Sequence, residues 1–244
     1  YNSEQAIEAV NPNTVVVVVD VNRPGRTECE ELLAHTKNIV VIDHHRQSGD
    51  VIEHATLSYI EPYASSACEM IAEILQYSMD KPKLRPAEAD AMYAGILVDT
   101  DNFVTKTGVR TFEAASFLRK NGADMTRVRK AYRSDLDSYR QIAQGVARAE
   151  IYLESFAISD MPTEGVDSPT VLAAKVANDL LDIDDVRASF VMTKIDNTVY
   201  VSARSIDDVN VQVIMEKFGG GGHGTVAGAQ IEDKSIDEVK QDIR

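Results

Sequence analysis

Residues 38–45 read Asn-Ile-Val-Val-Ile-Asp-His-His, a short apolar run that ends in one acidic residue and two histidines. A second run, over residues 15–20, reads Val-Val-Val-Val-Val-Asp. Short, continuously apolar runs rich in β-branched residues are typical of strands buried on both faces of a parallel sheet. The two runs therefore predict neighbouring parallel strands, joined by a short helical crossover over residues 28–35.

Helical patterns follow these two strands. Ser66-x-x-Glu69 is a capping-box pattern that precedes an apolar run, and it predicts the start of a helix. Pro86 suits the first position of a second helix, which is predicted to run to Asp99. A further helix is predicted over residues 111–120. The first half of the chain is therefore expected to be an α/β domain built on a parallel sheet.

The pattern changes in the second half of the chain, where a hairpin turn is predicted at Asp196-Asn197. The predicted elements are a strand over 151–159, a helix over 170–181, strands over 187–195 and 198–205, a helix over 210–218, a strand over 225–231 and a helix from 235. We predict an α/β protein in three parts: a parallel-sheet domain over 1–135, a linking helix over 136–150 and a smaller mixed α/β domain over 151–244.

The composition limits the partners of the chain. Its 244 residues carry a net charge of −14, whereas proteins that grip long nucleic acids through their phosphates need a basic face. We therefore expect any nucleic-acid ligand to be small. Two cysteines favour a reducing compartment. Because no run approaches the roughly 18 apolar residues of a membrane span, we expect no membrane contact by this chain.

Acidic and imidazole side chains follow both apolar runs. Asp20 ends the first run, and Asp43 is followed by His44 and His45 at the end of the second. Because open α/β sheets bind ligands beyond the carboxyl ends of their strands, we expect these side chains to share one crevice. Carboxylates and imidazoles are suitable ligands for a divalent transition metal such as Mn²⁺ or Fe²⁺. The pattern therefore predicts a metal site.

Asp99 offers a third carboxylate to this site. It ends an apolar helix, where the helix dipole disfavours a negative charge, and this conflict favours a functional role. Other interpretations stay open for two of the residues. Asp20 could equally be the N-cap of a helix, and His45 could be a structural histidine. Packing explains His44 less easily.

A second candidate site lies in the second half of the chain. Four glycines, residues 219–222, would let the backbone approach a ligand closely and turn N–H groups towards it, and His223 adds a donor. Arg204 suits a phosphate group because its guanidinium presents a fork of donors. The alternatives are a flexible loop and a solvated strand end. Together the two sites predict metal-assisted hydrolysis of a phosphate ester.

At this point the motifs resemble a known family. Asp43-His44-His45 is similar to the signature of the DHH phosphoesterases, and Asp20 to their second motif. Residues 95–103 resemble the third acidic motif, and residues 218–223 resemble the glycine-rich motif of the DHH-associated substrate domain. Residues 20–24 and 43–66 further resemble the membrane-anchored cyclic-di-AMP phosphodiesterases of Gram-positive bacteria.

The resemblance implies hydrolysis of a cyclic dinucleotide, cyclic-di-AMP, to linear pApA in a signalling protein anchored in the membrane, with this part on the cytoplasmic face. Asp20 would bridge two Mn²⁺ ions in the complete enzyme, and His44 and Asp99 would be metal ligands. His45 and Asp43 would support catalysis beside them. The resemblance also implies a set of substrate-binding residues: Arg204, Ser205, Gly220, Gly221, Gly222 and His223.

One family motif, His-x-x-x-Asp-x-Asp, has no match in this sequence. We therefore expect the chain to be a fragment that begins downstream of that motif, with weak or single metal occupancy and impaired activity. Two alternatives stay open: a short-oligonucleotide or pAp phosphatase of the same superfamily, and a catalytically impaired nucleotide-binding module. A homodimer is also left open.

Overall fold

The computed structural model describes residues 1–47, 49–78, 82–206 and 208–244. The chain forms two compact units, Tyr1–Arg133 and Ser134–Arg244. The first unit contains α1 Ser3–Ala9, β1 Val15–Val19, β2 Asn38–Asp43, β3 Leu57–Ile60, α2 Ala67–Ser78, α3 Pro86–Asp99, α4 Val109–Lys120 and α5 Met125–Ala131. Residues 28–35, the expected crossover helix, form only a short 3₁₀ helix, Glu30–Ala34.

The first unit is built on a three-stranded sheet in the order β1-β2-β3, with both pairs of strands parallel. The parallel pairing of the two apolar runs is therefore confirmed. The expectation that both strands are buried on both faces is correct for β2 but wrong for β1. Val15, Val17 and Val19 are 57%, 54% and 47% exposed. Five successive valines carry no alternation that distinguishes a central strand from one at the edge of a sheet.

Helices α2, α3 and α4 pack against one another beside this sheet, around a core of small and aliphatic side chains. As predicted, Pro86 is the first residue of α3 and Asp99 is its last. The predicted cap of α2 forms in part, since the backbone N–H of Glu69 donates to Ser66 Oγ at 3.0 Å. The carboxylate of Glu69 instead accepts from Ser65 Oγ at 2.5 Å. The N-terminal end of α2 is thus held by two serine side chains.

The second unit is built on a mixed six-stranded sheet in the order β4-β5-β6-β7-β9-β8, in which only the β5–β6 pair is parallel. Its elements are α6 Leu136–Ala147, β4 Glu150–Tyr152, β5 Phe156–Met161, α7 Pro169–Leu181, β6 Ala188–Ile195, β7 Thr198–Ser205, α8 Val211–Glu216, β8 Gly221–Gly222, β9 Val226–Glu232 and α9 Ile236–Ile243. Its larger core is formed by side chains of the sheet and of α8 and α9.

The second unit confirms one element predicted from the sequence and contradicts another. The predicted hairpin is confirmed, because Ile195 pairs with Thr198 across the turn. The single strand expected over residues 151–159 is wrong: Leu153 and Glu154 adopt positive φ angles of 46° and 63°, and the chain reverses there to form β4 and β5.

The helix expected to link the domains, α6, packs against β5 and α7 within the second unit. The domain limits 1–135 and 151–244 stay predictions. In the part of the chain that the structure describes, no helix combines the length and apolar character needed to cross a membrane.

Candidate metal centre and glycine loop

Asp43 is the last residue of β2, and it is completely buried. Its carboxylate accepts hydrogen bonds from Asn22 Nδ2 at 2.6 Å, His45 Nδ1 at 2.7 Å and the backbone N–H of His45 at 3.2 Å. Burial raises the pKa of Asp43, but the hydrogen bonds from His45 outweigh it, so the pKa lies below its usual value. Asp43 is therefore an ionised carboxylate that holds His45 in place.

The imidazole of His45 is held by its Nδ1 contact with Asp43. Because Asp43 can only accept a hydrogen bond, Nδ1 of His45 carries the proton between them. The hydrogen bond with Asp43 raises the pKa of His45, and the charges of Asp43, Asp20 and Asp99 add to the increase against the opposing effect of burial. The protonated form of His45 is thus favoured beside the acidic residues.

His44 follows Asp43 directly, and its imidazole is buried. Among the described residues, its Nε2 atom has no hydrogen-bond partner. The same atom lies 3.4 Å from Asp20 Oδ1 and 3.9 Å from Asp99 Oδ2. A buried polar nitrogen without a hydrogen bond is costly unless another group pairs with it. A cation shared by these three side chains would pair with it.

Asp20 follows β1 and reaches the same edge of the sheet. Its backbone N–H donates to Ile42 O at 3.0 Å, which continues the ladder between β1 and β2. Its φ angle is 65°, in the left-handed region. For a residue other than glycine this conformation costs about 1–2 kcal/mol, and such strain is concentrated at functional sites.

Asp99 reaches the centre from the C-terminal end of α3. Burial raises the pKa of its carboxyl and the charge of Asp20 adds to this, while His44 acts in the opposite direction. Because Asp99 Oδ2 lies 3.9 Å from His44 Nε2, the end of this helix and the end of β2 converge. Asp20, Asp43, His44 and His45 form a group whose candidate ligand atoms all lie within 4.8 Å of one another. The structure therefore brings the five predicted residues together.

The glycine loop lies in the second unit and packs tightly against β9. A Cβ atom at Gly220 would lie 2.1 Å from Gly228 O, and one at Gly222 would lie 2.4 Å from Val226 O. Gly221, by contrast, borders open space. Gly220 and Gly222 thus approach a neighbouring strand closely, while Gly219 and Gly221 border open space, and the contact of the loop with a ligand stays a prediction.

The other predicted substrate residues also make contacts within the second unit. Arg204 Nε donates to Asn178 Oδ1 at 2.9 Å. Ser205 is buried, and its hydroxyl donates to Val209 O at 2.6 Å. His223 is exposed, and its backbone N–H donates to Val226 O at 2.7 Å. Their roles in substrate binding stay predictions.

Sequence reasoning missed Asn22 as part of the first site. It is 4% exposed, and its side chain donates both to Asp43 Oδ2 and to His45 O, at 2.6 and 3.2 Å. It therefore ties the end of β2 to the segment after β1. The available signal was its position two residues after Asp20, where a polar side chain reaches the same edge of the sheet.

The protein thus has two domains. One is an α/β unit whose strand ends carry the carboxylates and imidazoles of a candidate metal centre. The other is a mixed-sheet unit that carries a glycine loop. Residues 2–96 match the N-terminal domain of the DHH family, and residues 155–244 match the DHHA1 domain. The chain belongs to the DHH family, as the resemblance of its motifs indicated.

Two curated relatives are similar along almost the whole chain. The cyclic-di-AMP phosphodiesterase GdpP of Geobacillus thermodenitrificans is 46% identical over 242 residues, which are 99% of this chain and 37% of that protein. The cyclic-di-AMP phosphodiesterase PdeA of Listeria monocytogenes is 42% identical over 239 residues, which are 98% of this chain and 36% of that protein. The chain thus spans a little more than a third of these relatives.

A solved structure shares the fold. The crystal structure of an exopolyphosphatase-related protein from Bacteroides fragilis matches with a TM-score of 0.83 at 20% identity, and the match covers 99% of this chain and 73% of that chain.

Proposed function

We propose that the chain is the catalytic part of a metal-dependent phosphodiesterase that hydrolyses cyclic-di-AMP to linear pApA. The observation that carries this proposal is the buried Nε2 atom of His44, which has no hydrogen-bond partner among the described residues and lies near the carboxylates of Asp20 and Asp99. The choice of substrate is supported by the cyclic-di-AMP phosphodiesterases GdpP and PdeA. Both are similar to nearly the whole of this 244-residue chain.

The residues present fit a divalent transition metal. Asp20, His44 and Asp99 offer oxygen and nitrogen ligands of the kind that Mn²⁺ accepts, and we propose them as its ligands. When bound, such an ion polarises a phosphoryl oxygen and lowers the pKa of a coordinated water. We propose two Mn²⁺ ions in the complete enzyme, which Asp20 would help to hold, and weak or single occupancy in this chain.

His45 and Asp43 are proposed to move and hold a proton beside the metal ligands. Asp43 fixes the ring of His45 through Nδ1, so Nε2 is the nitrogen that can exchange a proton with the substrate. The raised pKa of His45 favours the protonated imidazole, which is the form that a general acid needs in order to protonate the leaving oxygen of the phosphodiester.

The second unit is proposed to bind the nucleotide. The outward-facing Gly221, its neighbours Gly220 and Gly222, and the donors Arg204, Ser205 and His223 would hold phosphate and base. The net charge of −14 agrees with a small cyclic dinucleotide rather than a long nucleic acid.

We also propose that the DHH part extends over 1–135 and the substrate part over 151–244. We place the parent protein in the membrane, with this part on the cytoplasmic face, and leave a homodimer open.

The test is Mn²⁺-dependent turnover by the 244-residue chain, with cyclic-di-AMP, pApA and pAp as separate substrates and chromatography of the products. His44→Ala should abolish both turnover and Mn²⁺ binding, whereas His54→Ala, at an exposed histidine, should leave both unchanged. Full activity of the His44 variant would refute the metal assignment. Preference for pAp would indicate the phosphatase alternative. Dinucleotide binding without Mn²⁺ and without products would indicate a binding module.

A further inference from the structure

Helices α2 and α3 approach each other unusually closely at Gly95. A Cβ atom at this position would lie 2.5 Å from Cys68 Sγ and 3.4 Å from Cys68 Cβ. Non-bonded atoms of this size need a separation of roughly 3.5–4.0 Å. Any larger residue at position 95 therefore requires the two helices, or the thiol between them, to move by about 1 Å.

This crossing lies one helical turn from Asp99. Gly95 and Asp99 are four residues apart in α3, so they share one face of the helix on successive turns. The thiol of Cys68 lies against Gly95 on this side of the helix, and its burial, together with the charges of Asp99 and Asp20, raises its pKa to about 11. The close contact thus lies between the two helices and next to the cluster of carboxylates.

The distance between His44 and Asp99 leaves little room for such a movement. His44 Nε2 and Asp99 Oδ2 are 3.9 Å apart. Two ligands of one ion, with bonds of about 2.0–2.2 Å, can be separated by at most roughly 4.4 Å. A shift of α3 by about 1 Å away from α2 can therefore carry the carboxylate beyond the reach of an ion that His44 binds.

We propose that Gly95 is a positioning residue of the candidate metal centre: because it has no side chain, α3 can lie close to Cys68 of α2, at the depth where Asp99 can share one ion with His44. This inference rests on the proposed function only through the binding of an ion at this cluster. It concerns the binding step, so it can be tested without turnover.

The experiment measures Mn²⁺ binding to the 244-residue chain from the electron paramagnetic resonance signal of the free ion. Gly95→Ala is expected to weaken binding by about 10–100-fold, as residues that orient ligands typically do. Cys68→Ala removes the sulfur atom and should leave binding unchanged. The double variant Gly95→Ala, Cys68→Ala should restore the Mn²⁺ affinity to within about threefold of that of the unsubstituted 244-residue chain. The remaining Cβ–Cβ contact of 3.4 Å is tight but tolerable.

Gly145 serves as a control that distinguishes an effect on the position of Asp99 from a general effect of helix packing. A Cβ atom at Gly145, in α6, would lie 2.6 Å from Met161 Sδ. Gly145→Ala should therefore lower the thermal stability of the second unit, measured by circular dichroism, without changing Mn²⁺ affinity. A loss of affinity in this variant equal to that of Gly95→Ala would overturn the inference, because general packing would then explain both.

Four further outcomes are decisive. Binding by Gly95→Ala within threefold of the parent, or a loss that Cys68→Ala does not restore, overturns the inference while leaving the proposed function intact. If Gly95→Ala does not fold, Cys68→Met extends the other side of the same contact and should weaken binding in its place. Unfolding of both variants would overturn the inference, because the contact would then serve the whole fold. A parent chain without measurable Mn²⁺ binding would overturn both the metal centre and the inference.

Discussion

Replacement of Asp43 by asparagine tests the part of the site that holds His45. The substitution keeps the shape of the side chain but replaces one carboxylate oxygen by an NH₂ group. Asp43 is completely buried, and each of its oxygens accepts from a donor: Oδ2 from Asn22 Nδ2, and Oδ1 from both nitrogens of the His45 contact. Either orientation of the new amide therefore places an NH₂ group against a donor.

The neighbours cannot remove this conflict by turning. If the NH₂ group faces Asn22, a flipped Asn22 amide would accept from it, but its oxygen would then face His45 O, to which Nδ2 now donates at 3.2 Å. If the NH₂ group faces His45, the ring can change its tautomer, but the backbone N–H cannot become an acceptor. In each arrangement at least one donor or acceptor of this network thus loses its partner.

The expected loss of stability follows from these contacts. Hydrogen bonds to charged groups contribute about 1.5–3 kcal/mol, and an unsatisfied buried group costs about 1–3 kcal/mol. The contribution of the half-exposed His45 has to be discounted for solvent screening. We expect Asp43→Asn to lower the free energy of unfolding of the first unit by about 2–4 kcal/mol, measured by urea denaturation at pH 7 without metal.

The difference between the parent and this variant should also depend on pH. The folded-state pKa of Asp43 lies below its usual value of 3.8, so the stability that its charge contributes is present above that value and is lost as the pH falls through the folded-state pKa. The two proteins should therefore converge in acid. Asp137→Asn, at an exposed carboxylate of α6 that pairs with Arg140, should change stability by less than about 0.5 kcal/mol. An Asp43 variant that matches this control at pH 7 would refute the reasoning.

Three other substitutions or reactions test particular contacts. Gly220→Ala should lower the free energy of unfolding of the second unit by about 1–3 kcal/mol because of the clash with Gly228 O, whereas Gly221→Ala should be nearly neutral; thermal unfolding distinguishes them. Thr193→Val should raise stability by about 1–2 kcal/mol in urea titrations, because the buried Thr193 hydroxyl has no partner among the described residues. Alkylation of Cys68 by iodoacetamide at pH 8, followed by mass spectrometry, should be roughly a hundredfold slower in the native chain than in urea, because the native pKa is about 11 instead of 9.0. Equal rates would show that the thiol is not buried beside the carboxylates.

The residues of the candidate metal centre could be predicted from sequence because their positions follow from chain direction. Asp20 and His44 each come directly after an apolar run, and parallel strands place such residues at one edge of the sheet. The position of Asp99 was indicated by the conflict between its charge and the helix end that carries it. In each case a local pattern determines where the side chain goes.

The remaining features depend on contacts between distant segments. The exposure of β1 was missed because the five valines have the same spacing on both faces, and only the partner strands decide which face is covered. The partnership of Asn22 with Asp43, 21 residues away, requires knowledge of how the two strands lie side by side. The separate strands β4 and β5 depend on the positive φ angles of Leu153 and Glu154, which neither residue type favours.

The exposed margin of β1 has a consequence for the metal centre. In the sheet as described, β2 pairs with only one side of β1, and the outer side presents the backbone N–H and C=O groups of residues 15–19. A segment that joined this margin in the same direction would bring its last residues next to Asp20. The unpaired edge of β1 is therefore the place where extra ligands can reach the candidate metal centre without displacing Asp43, His44 or Asn22.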